Sequence, residues 1–514
     1  MVKQRMMAGV MAALLLASCV ENPATGGSSL SLVSKAQERE VGQATAEAAL
    51  KQYGLYKPSS TTTRYVTSLC DKMVAVTEAN NEPTSCILLD SDQFNAWATP
   101  GYVNVYRGLL PFVQSEAELA AVLGHEGGHN AARHVAQGMT SQVVAGVLVS
   151  ALGIYLGTQM DDRAAQAATQ LGGLAAGLSL AKFGRDHEHE ADALAQRYLP
   201  RAGYDAREAV GMVQSMRAYE QYAQALAYGL RGQDAAGENL LGRLTSSHPA
   251  TPERIAAAAQ RAGYPDGSLQ LPEGVAPATP ANDPQGRNRF LNAMEGLSFG
   301  PQRAWGIAGR NYIALPAART VVRIPEGFVT NYMEGSEKPE AGQWWGRHPA
   351  SDVRFKMGTD TYKAGMNVGV LLEKLGVDSA QRLQLADGTT AYTGVKSGMN
   401  GTFRAVAIPS VGTDKVVMMV FSFPDAATQA REEPAIMQSI ALSKVVTETV
   451  ADRWQPLKLS IRTVRGGDTA ERLAAAMPMG ALQVELFNAL NRVAPNQPLT
   501  PGERVKVVVD GNGV

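Results

Sequence analysis

His125-Glu-Gly-Gly-His129 is the stretch on which the reading of this chain turns. On a helix, two histidines four residues apart project from one face, so both imidazoles reach a single metal ion. Glu126 then lies beside them, angled toward a water on that metal. The residues just upstream predict the helix: Ser115 can cap it, Glu118 sits three positions on as in a capping box, and Leu119, Val122 and Leu123 make an apolar stripe. With seven histidines in 514 residues the motif can also arise by chance. Position argues against that, because His125, His129, His134, His187 and His189 fall within one segment and His248 follows before a proline.

The third ligand decides the kind of site. A histidine-only pattern of the form HExxHxxGxxH needs Gly at 132 and His at 135; the chain has Ala132 and Val135, and His134 comes one residue early. Phe183-Gly-Arg-Asp-His-Glu188-His-Glu-Ala-Asp192 offers a carboxylate from a second helix instead. There Glu188 and Asp192 share a face. Glu188 completes a two-histidine, one-glutamate site with an open fourth position, and Asp192 accepts a hydrogen bond from the free N–H of a ligand imidazole. Read alone, this stretch is equally an acidic, solvated helix face. Together the two motifs predict one Zn2+ per chain on His125, His129 and Glu188, with Glu126 as general base of a zinc metalloendopeptidase. His248, in Ser247-His-Pro249, has three readings: a fourth ligand that plugs the open position, a donor to the oxyanion formed during attack, or a histidine that holds its loop beside Arg254.

Two further stretches join these: Asn95-Ala-Trp-Ala-Thr-Pro-Gly101 ahead of Val103-Asn-Val-Tyr-Arg-Gly-Leu109, and Ser247-His-Pro-Ala-Thr-Pro-Glu-Arg254. With them the chain resembles, over roughly residues 20–260, the gluzincin metallopeptidase family that includes the CAAX prenyl endopeptidases, the heat-shock membrane protease and bacterial periplasmic lipoprotein proteases. Gly184 stands where that family usually has serine, which leaves the ligands untouched but is expected to loosen the start of that helix. The strand at 103–106, after the Pro100-Gly101 turn, is the candidate edge on which an extended substrate would pair, or else an ordinary strand of a small sheet.

The N-terminus indicates a compartment. Lys3 and Arg5 precede an apolar stretch at 6–17, and Leu16-Ala-Ser-Cys19 has the form of a lipobox. Residues 1–18 thus read as a lipoprotein signal peptide and Cys19 as the lipidated residue. Val20 rather than Asp follows, which by the sorting pattern the resemblance implies points to the outer membrane, facing the periplasm. Cys70 and Cys86 remain, either bridged or as two buried thiols. The formal net charge of −1 offers no electrostatic footprint for nucleic acid.

At this length more than one domain is expected. Residues 19–262 read as a mainly α-helical, zincin-type protease domain with a small β-sheet, including later helices at 205–227 and 252–262. Residues 263–298 read as a proline-rich linker and short helix. Residues 299–448 change texture to apolar, β-branched runs such as 320–324, 368–372 and 415–421, which predict an α+β domain. Residues 455–510 outline a βααβ module, with strands at 459–464 and up to 508 and helices at 470–477 and 482–490. Through Gly467-Asp-Thr469, Leu486-Phe-Asn488 and Leu499-Thr-Pro-Gly-Glu-Arg-Val-Lys-Val507 it resembles a LysM module, whose family binds N-acetylglucosamine in peptidoglycan. The other reading is a small accessory domain without sugar affinity. The apolar segment at 143–157, interrupted by Gly146 and Gly153, fits a helix packed beside the site, or a shallow lid, better than a membrane span.

The expected function is hydrolysis of unfolded or misassembled cell-envelope proteins by a lipid-anchored periplasmic enzyme. Two other readings keep the same fold: a chaperone or assembly scaffold for outer-membrane proteins with latent protease activity, and a peptidoglycan-associated binding protein.

Overall fold

The computed structural model describes residues 18–57, 59–79, 82–141, 184–232, 248, 251–263, 284–332, 343–363, 366–377, 379–398 and 401–511. The apolar segment at 143–157, residues 1–17 of the expected signal peptide and most of the expected proline-rich linker lie outside them. The chain divides into two compact units, residues 1–217 with 245–293 and residues 218–244 with 294–514.

The first unit opens with a hairpin of β1 (Ser18–Glu21) and β2 (Ser28–Ser31), in which Cys19 stands opposite Leu30. Helix α1 (Lys35–Tyr53) begins at a capping box formed by Ser34 and Gln37. Helix α2 (Thr61–Val74) is capped by Ser60. A three-stranded sheet follows, made of β3 (Ser85–Leu89), β4 (Ala96–Thr99) and β5 (Tyr102–Tyr106). Cys70 of α2 and Cys86 of β3 are joined by a disulfide across a Cα separation of 6.0 Å. β4 and β5 are antiparallel and share a tight turn at Pro100-Gly101. Gly101 has φ +85, the left-handed value that the second turn position needs after a proline.

The sheet order is β3-β5-β4, with β3 parallel to β5. This corrects the expected edge at 103–106: β5 is the central strand, buried along nearly its whole length. The apolar run Ser85–Leu89 supplies the neighbour that takes its second side. β4 is an edge strand instead, paired through β5 alone among the described strands.

Helix α3 (Glu116–Ala131) carries the histidine motif and is buried at every position but Asn130, so it runs through the core of this unit. Ser115 caps it by accepting from the Glu118 amide at 3.1 Å. The capping box is shifted by one residue, because the Glu118 carboxylate accepts from the Gln114 amide at 3.1 Å and from Ser215 Oγ at 2.9 Å. α4 (Arg185–Arg201) packs closely on α3, and glycines allow it: a Cβ at Gly128 would lie 3.1 Å from Leu194 Cβ, and one at Gly124 3.5 Å from Ala195 Cα. α5 (Glu208–Arg231) starts three residues later than expected and continues past the unit boundary; α6 (Pro252–Arg261) and α7 (Pro284–Met294) follow. No described helix is long and apolar enough to cross a membrane.

The second unit holds a seven-stranded antiparallel sheet, from Val329–Tyr332 at one edge to Gln381–Gln384 at the other, and a four-stranded sheet built on Ile307–Gly309, Tyr312–Leu315, Thr320–Arg323 and Lys444–Val445. The run at 368–372 is a correction: it lies in a short helix, Gly369–Lys374, rather than in a strand. Val368 and Leu372, four apart, both bury against Ala405, Ala407 and Val416. A short apolar run has no periodicity that separates helix from strand, and packing settles it. At the C-terminus, Leu457–Thr463 and Arg504–Val509 pair antiparallel around helices Ala470–Ala475 and Gln483–Asn491. Thr469 caps the first of these helices. A third strand from outside this segment, Ser298–Phe299, pairs with Leu457–Thr463.

Candidate metal centre

Four buried side chains converge between α3 and α4. His125, His129, Glu188 and His248 each present one ligand atom, all within 4.8 Å of one another. His125 Nε2 lies 3.1 Å from His129 Nε2, 3.6 Å from Glu188 Oε2 and 3.4 Å from His248 Nδ1. His129 Nε2 lies 3.5 Å from Glu188 Oε1. Zinc bonds of about 2.0–2.2 Å to nitrogen and oxygen set a tetrahedral edge of about 3.3–3.6 Å, so His125, His129 and Glu188 already have the spacing of three ligands of one ion. His248 is closer to Glu188, with Nδ1 2.7 Å from Oε1, a hydrogen-bond distance.

The carboxylates of α4 are fixed by one guanidinium. Arg254, on α6, donates from Nε to Asp192 Oδ2 at 2.9 Å and from Nη2 to Asp192 Oδ1 at 2.8 Å, and its Nη1 is 2.9 Å from Glu188 Oε2. Such fork geometry holds both acids in one orientation. Asp192 Oδ1 also lies 3.0 Å from His125 Nδ1, which turns His125 Nε2 toward the cluster. Burial opposes the charge on Asp192, yet His125 and Arg254 hold its carboxyl well below the usual range. Glu188 behaves likewise: burial works against ionisation, and His248 and His125 more than reverse it. For His125 burial disfavours the cation, but Asp192 and Glu188 push the imidazole up to about 10. His129 is held well below its ordinary value, by burial first and then by the charge of His125.

Glu126 lies on the adjoining face of α3 and differs from the other acids. Burial pushes its carboxyl up, against the opposing pull of His248 and His125. Its Oε2 is buried without a hydrogen-bond partner among the described residues, and its Oε1 is 3.7 Å from His248 Nε2. A recess opens beside it, lined by Asn95 and Ala96 at the start of β4, by Phe94, Leu109, Val113 and Val122, and by Met212 and Met216 of α5.

The structure therefore brings His125, Glu126, His129, Glu188, Asp192 and His248 into one site. Cys19 lies in β1, and the Cys70–Cys86 bridge ties α2 to the sheet. Sequence reasoning left His134 unassigned and overlooked Glu190. His134 Nδ1 lies 2.8 Å behind His129 Nδ1, and its spacing of five from His129 was the one visible sign of that.

Residues 60–262 match the model of Peptidase family M48. The chain is 32% identical over 165 residues to a beta-barrel assembly-enhancing protease of Yersinia pestis, covering 31% of this chain and 34% of that one. It is 32% identical over 167 residues to the mitochondrial metalloendopeptidase OMA1 of Arabidopsis thaliana (32% and 29% covered), and 31% identical over 138 residues to the metalloprotease YcaL of Escherichia coli (27% and 52% covered). The first of these alignments spans about a third of the relative's length. Within these limits the helix pair, its ligand spacing and the matched segment agree: residues 60–262 are similar to the metallopeptidases of family M48.

Proposed function

We propose that the chain is a zinc-dependent endopeptidase, anchored through Cys19 as a periplasmic lipoprotein at the outer membrane, that hydrolyses unfolded or misassembled envelope proteins. The observation that carries the chemistry is the cluster of His125, His129 and Glu188 at ligand spacing beside a buried Glu126 carboxylate. Zinc on these three residues supplies Lewis-acid polarisation of a peptide carbonyl and acidifies water. Glu126 receives the proton of the attacking water and passes it to the leaving amine nitrogen. Asp192 and Arg254 hold the ligand set without touching the substrate. An extended substrate is placed along β4, the edge strand among the described strands, which is buried at every position and so must be uncovered before it can pair, and the apolar recess beside Glu126 takes an apolar side chain. That combination suits unfolded chains. The names of the bacterial relatives, which join beta-barrel assembly to proteolysis, support an envelope substrate.

One observation favours a second reading, an assembly scaffold with latent protease activity. His248 sits against both Glu188 and Glu126, where it restrains the site. In either case the C-terminal strand–helix–helix–strand module is proposed as a LysM-like peptidoglycan contact. The deciding experiment is cleavage of an unfolded model protein by the purified chain, with and without chelator, beside Glu126→Gln. Chelator-sensitive cleavage that Glu126→Gln abolishes supports the enzyme; undiminished cleavage by Glu126→Gln would remove it.

A further inference from the structure

We propose that His134 and Glu190, tied down by Asn22, form the positioning chain of the metal ligand His129, so that the N-terminal turn is coupled to the metal site. The proposal rests on the reading of His125, His129 and Glu188 as ligands. His129 is fully buried, and with Nε2 directed at the cluster its proton must reside on Nδ1. The acceptor for that proton is unusual. Where His125 meets the carboxylate of Asp192, His129 meets another imidazole, with His134 Nδ1 at 2.8 Å.

Accepting at Nδ1 forces the His134 proton onto Nε2, and that atom lies 3.1 Å from Glu190 Oε2. The remaining oxygen, Glu190 Oε1, accepts from Asn22 Nδ2 at 2.8 Å. One arrangement of protons thus satisfies the whole line from His129 to Asn22, and the negative charge at its far end raises the basicity of His129 through His134. The His134 ring is kept in plane by His187, stacked at 4.2 Å and 17°, whose Nε2 lies 3.1 Å from Gln137 Oε1.

Asn22 is equally well held. Its Oδ1 accepts from the Ala24 amide at 2.9 Å, its carbonyl accepts from the Gly26 amide at 2.9 Å, and Arg197 donates to the Ala24 carbonyl at 2.8 Å. The turn is therefore clamped to α4 at two points, Glu190 and Arg197. It begins three residues beyond Cys19, the proposed lipid attachment point. Displacing that segment removes the last link of the line.

The test uses the full chain and two readouts other than turnover: the zinc dissociation constant by competition with a chromophoric chelator, and the visible spectrum of the Co2+-substituted protein. His134→Ala and Glu190→Ala are expected to weaken zinc binding about 10- to 100-fold. Glu190→Gln, which keeps an oxygen facing His134 but loses the charge, should show a smaller loss together with shifted cobalt bands, and Asn22→Ala a lesser loss in the same direction. Equal unfolding temperatures of wild type and Glu190→Gln in excess chelator show that the change is not one of folding. Should His134→Ala fail to fold, Glu190→Gln carries the test. Zinc affinity and cobalt bands indifferent to Glu190→Gln and Glu190→Ala overturn this inference alone, whereas a wild-type chain that takes up no zinc overturns the metal reading as well.

Discussion

At the scale of single residues, coordination and proton transfer separate. His125→Ala, His129→Ala and Glu188→Ala should lose metal, while Glu126→Gln should keep it and lose hydrolysis, because Glu126 makes no coordination bond. Metal analysis of the purified variants checks this, and full zinc occupancy in Glu188→Ala contradicts the ligand assignment. Asp192→Asn should weaken zinc binding by about 10- to 100-fold, since it orients His125 and shares Arg254 with Glu188. His248→Ala distinguishes the three readings of that residue. The plug reading expects faster proteolysis, although the 2.7 Å from His248 Nδ1 to Glu188 Oε1 is a hydrogen-bond spacing rather than that of two ligands on one ion. A loss of about a hundredfold in turnover with zinc retained identifies an oxyanion donor instead, and lower stability with near-normal specific activity identifies a loop-holding role.

At the scale of elements, the site depends on close packing. Gly42 of α1 abuts the β4–β5 turn: a Cβ there would fall 2.1 Å from the Pro100 carbonyl oxygen, and backbone cannot swing aside as a side chain can. Gly42→Ala should therefore destabilise the protein by about 1–3 kcal/mol or more, read from the midpoint of urea unfolding, even though alanine is the better helix former. Gly184, the N-cap of α4, is the opposite case. It has an extended backbone (φ −64, ψ 157) that serine adopts, and a Cβ there meets nothing within 4 Å. Gly184→Ser should add a few tenths of a kcal/mol by capping the helix that carries Glu188. A lower unfolding midpoint in Gly184→Ser would contradict this.

At the scale of the molecule, stability should depend on pH through Glu116, the first residue of α3. Burial opposes its charge, but Arg289, Tyr65 and Tyr204 all donate to it, and the balance lowers its pKa below 4.5. A carboxyl whose folded pKa is depressed binds more protons when unfolded. Its contribution is thus complete above pH 4.5 and is lost as pH falls through the lower folded value. Thermal unfolding between pH 6 and 3 should show a shallower acid decline for Glu116→Gln than for wild type. Identical slopes would exclude Glu116 as a source of the pH dependence.

How much of this was legible beforehand follows from what kind of information each feature needs. The spacing of His125 and His129, the cap at Ser115 and the carboxylates of 188 and 192 are local: a period of 3.6 residues places them on faces without reference to anything else. The αβ texture of the second unit and the outline of 457–509 were visible for the same reason. That β5 is paired on both sides was not, because strand order depends on a partner, Ser85–Leu89, that joins by long-range parallel pairing. Nor was the helix at 369–374, whose apolar run became helical through contacts with residues more than thirty positions away. The line from His129 through His134 and Glu190 to Asn22 spans more than a hundred residues of sequence, and no local pattern encodes it. The residue types that could serve as ligands and base are legible in the chain because they are a property of side chains; which buried groups support them is set by the fold, because hydrogen-bond partners are chosen by distance in space.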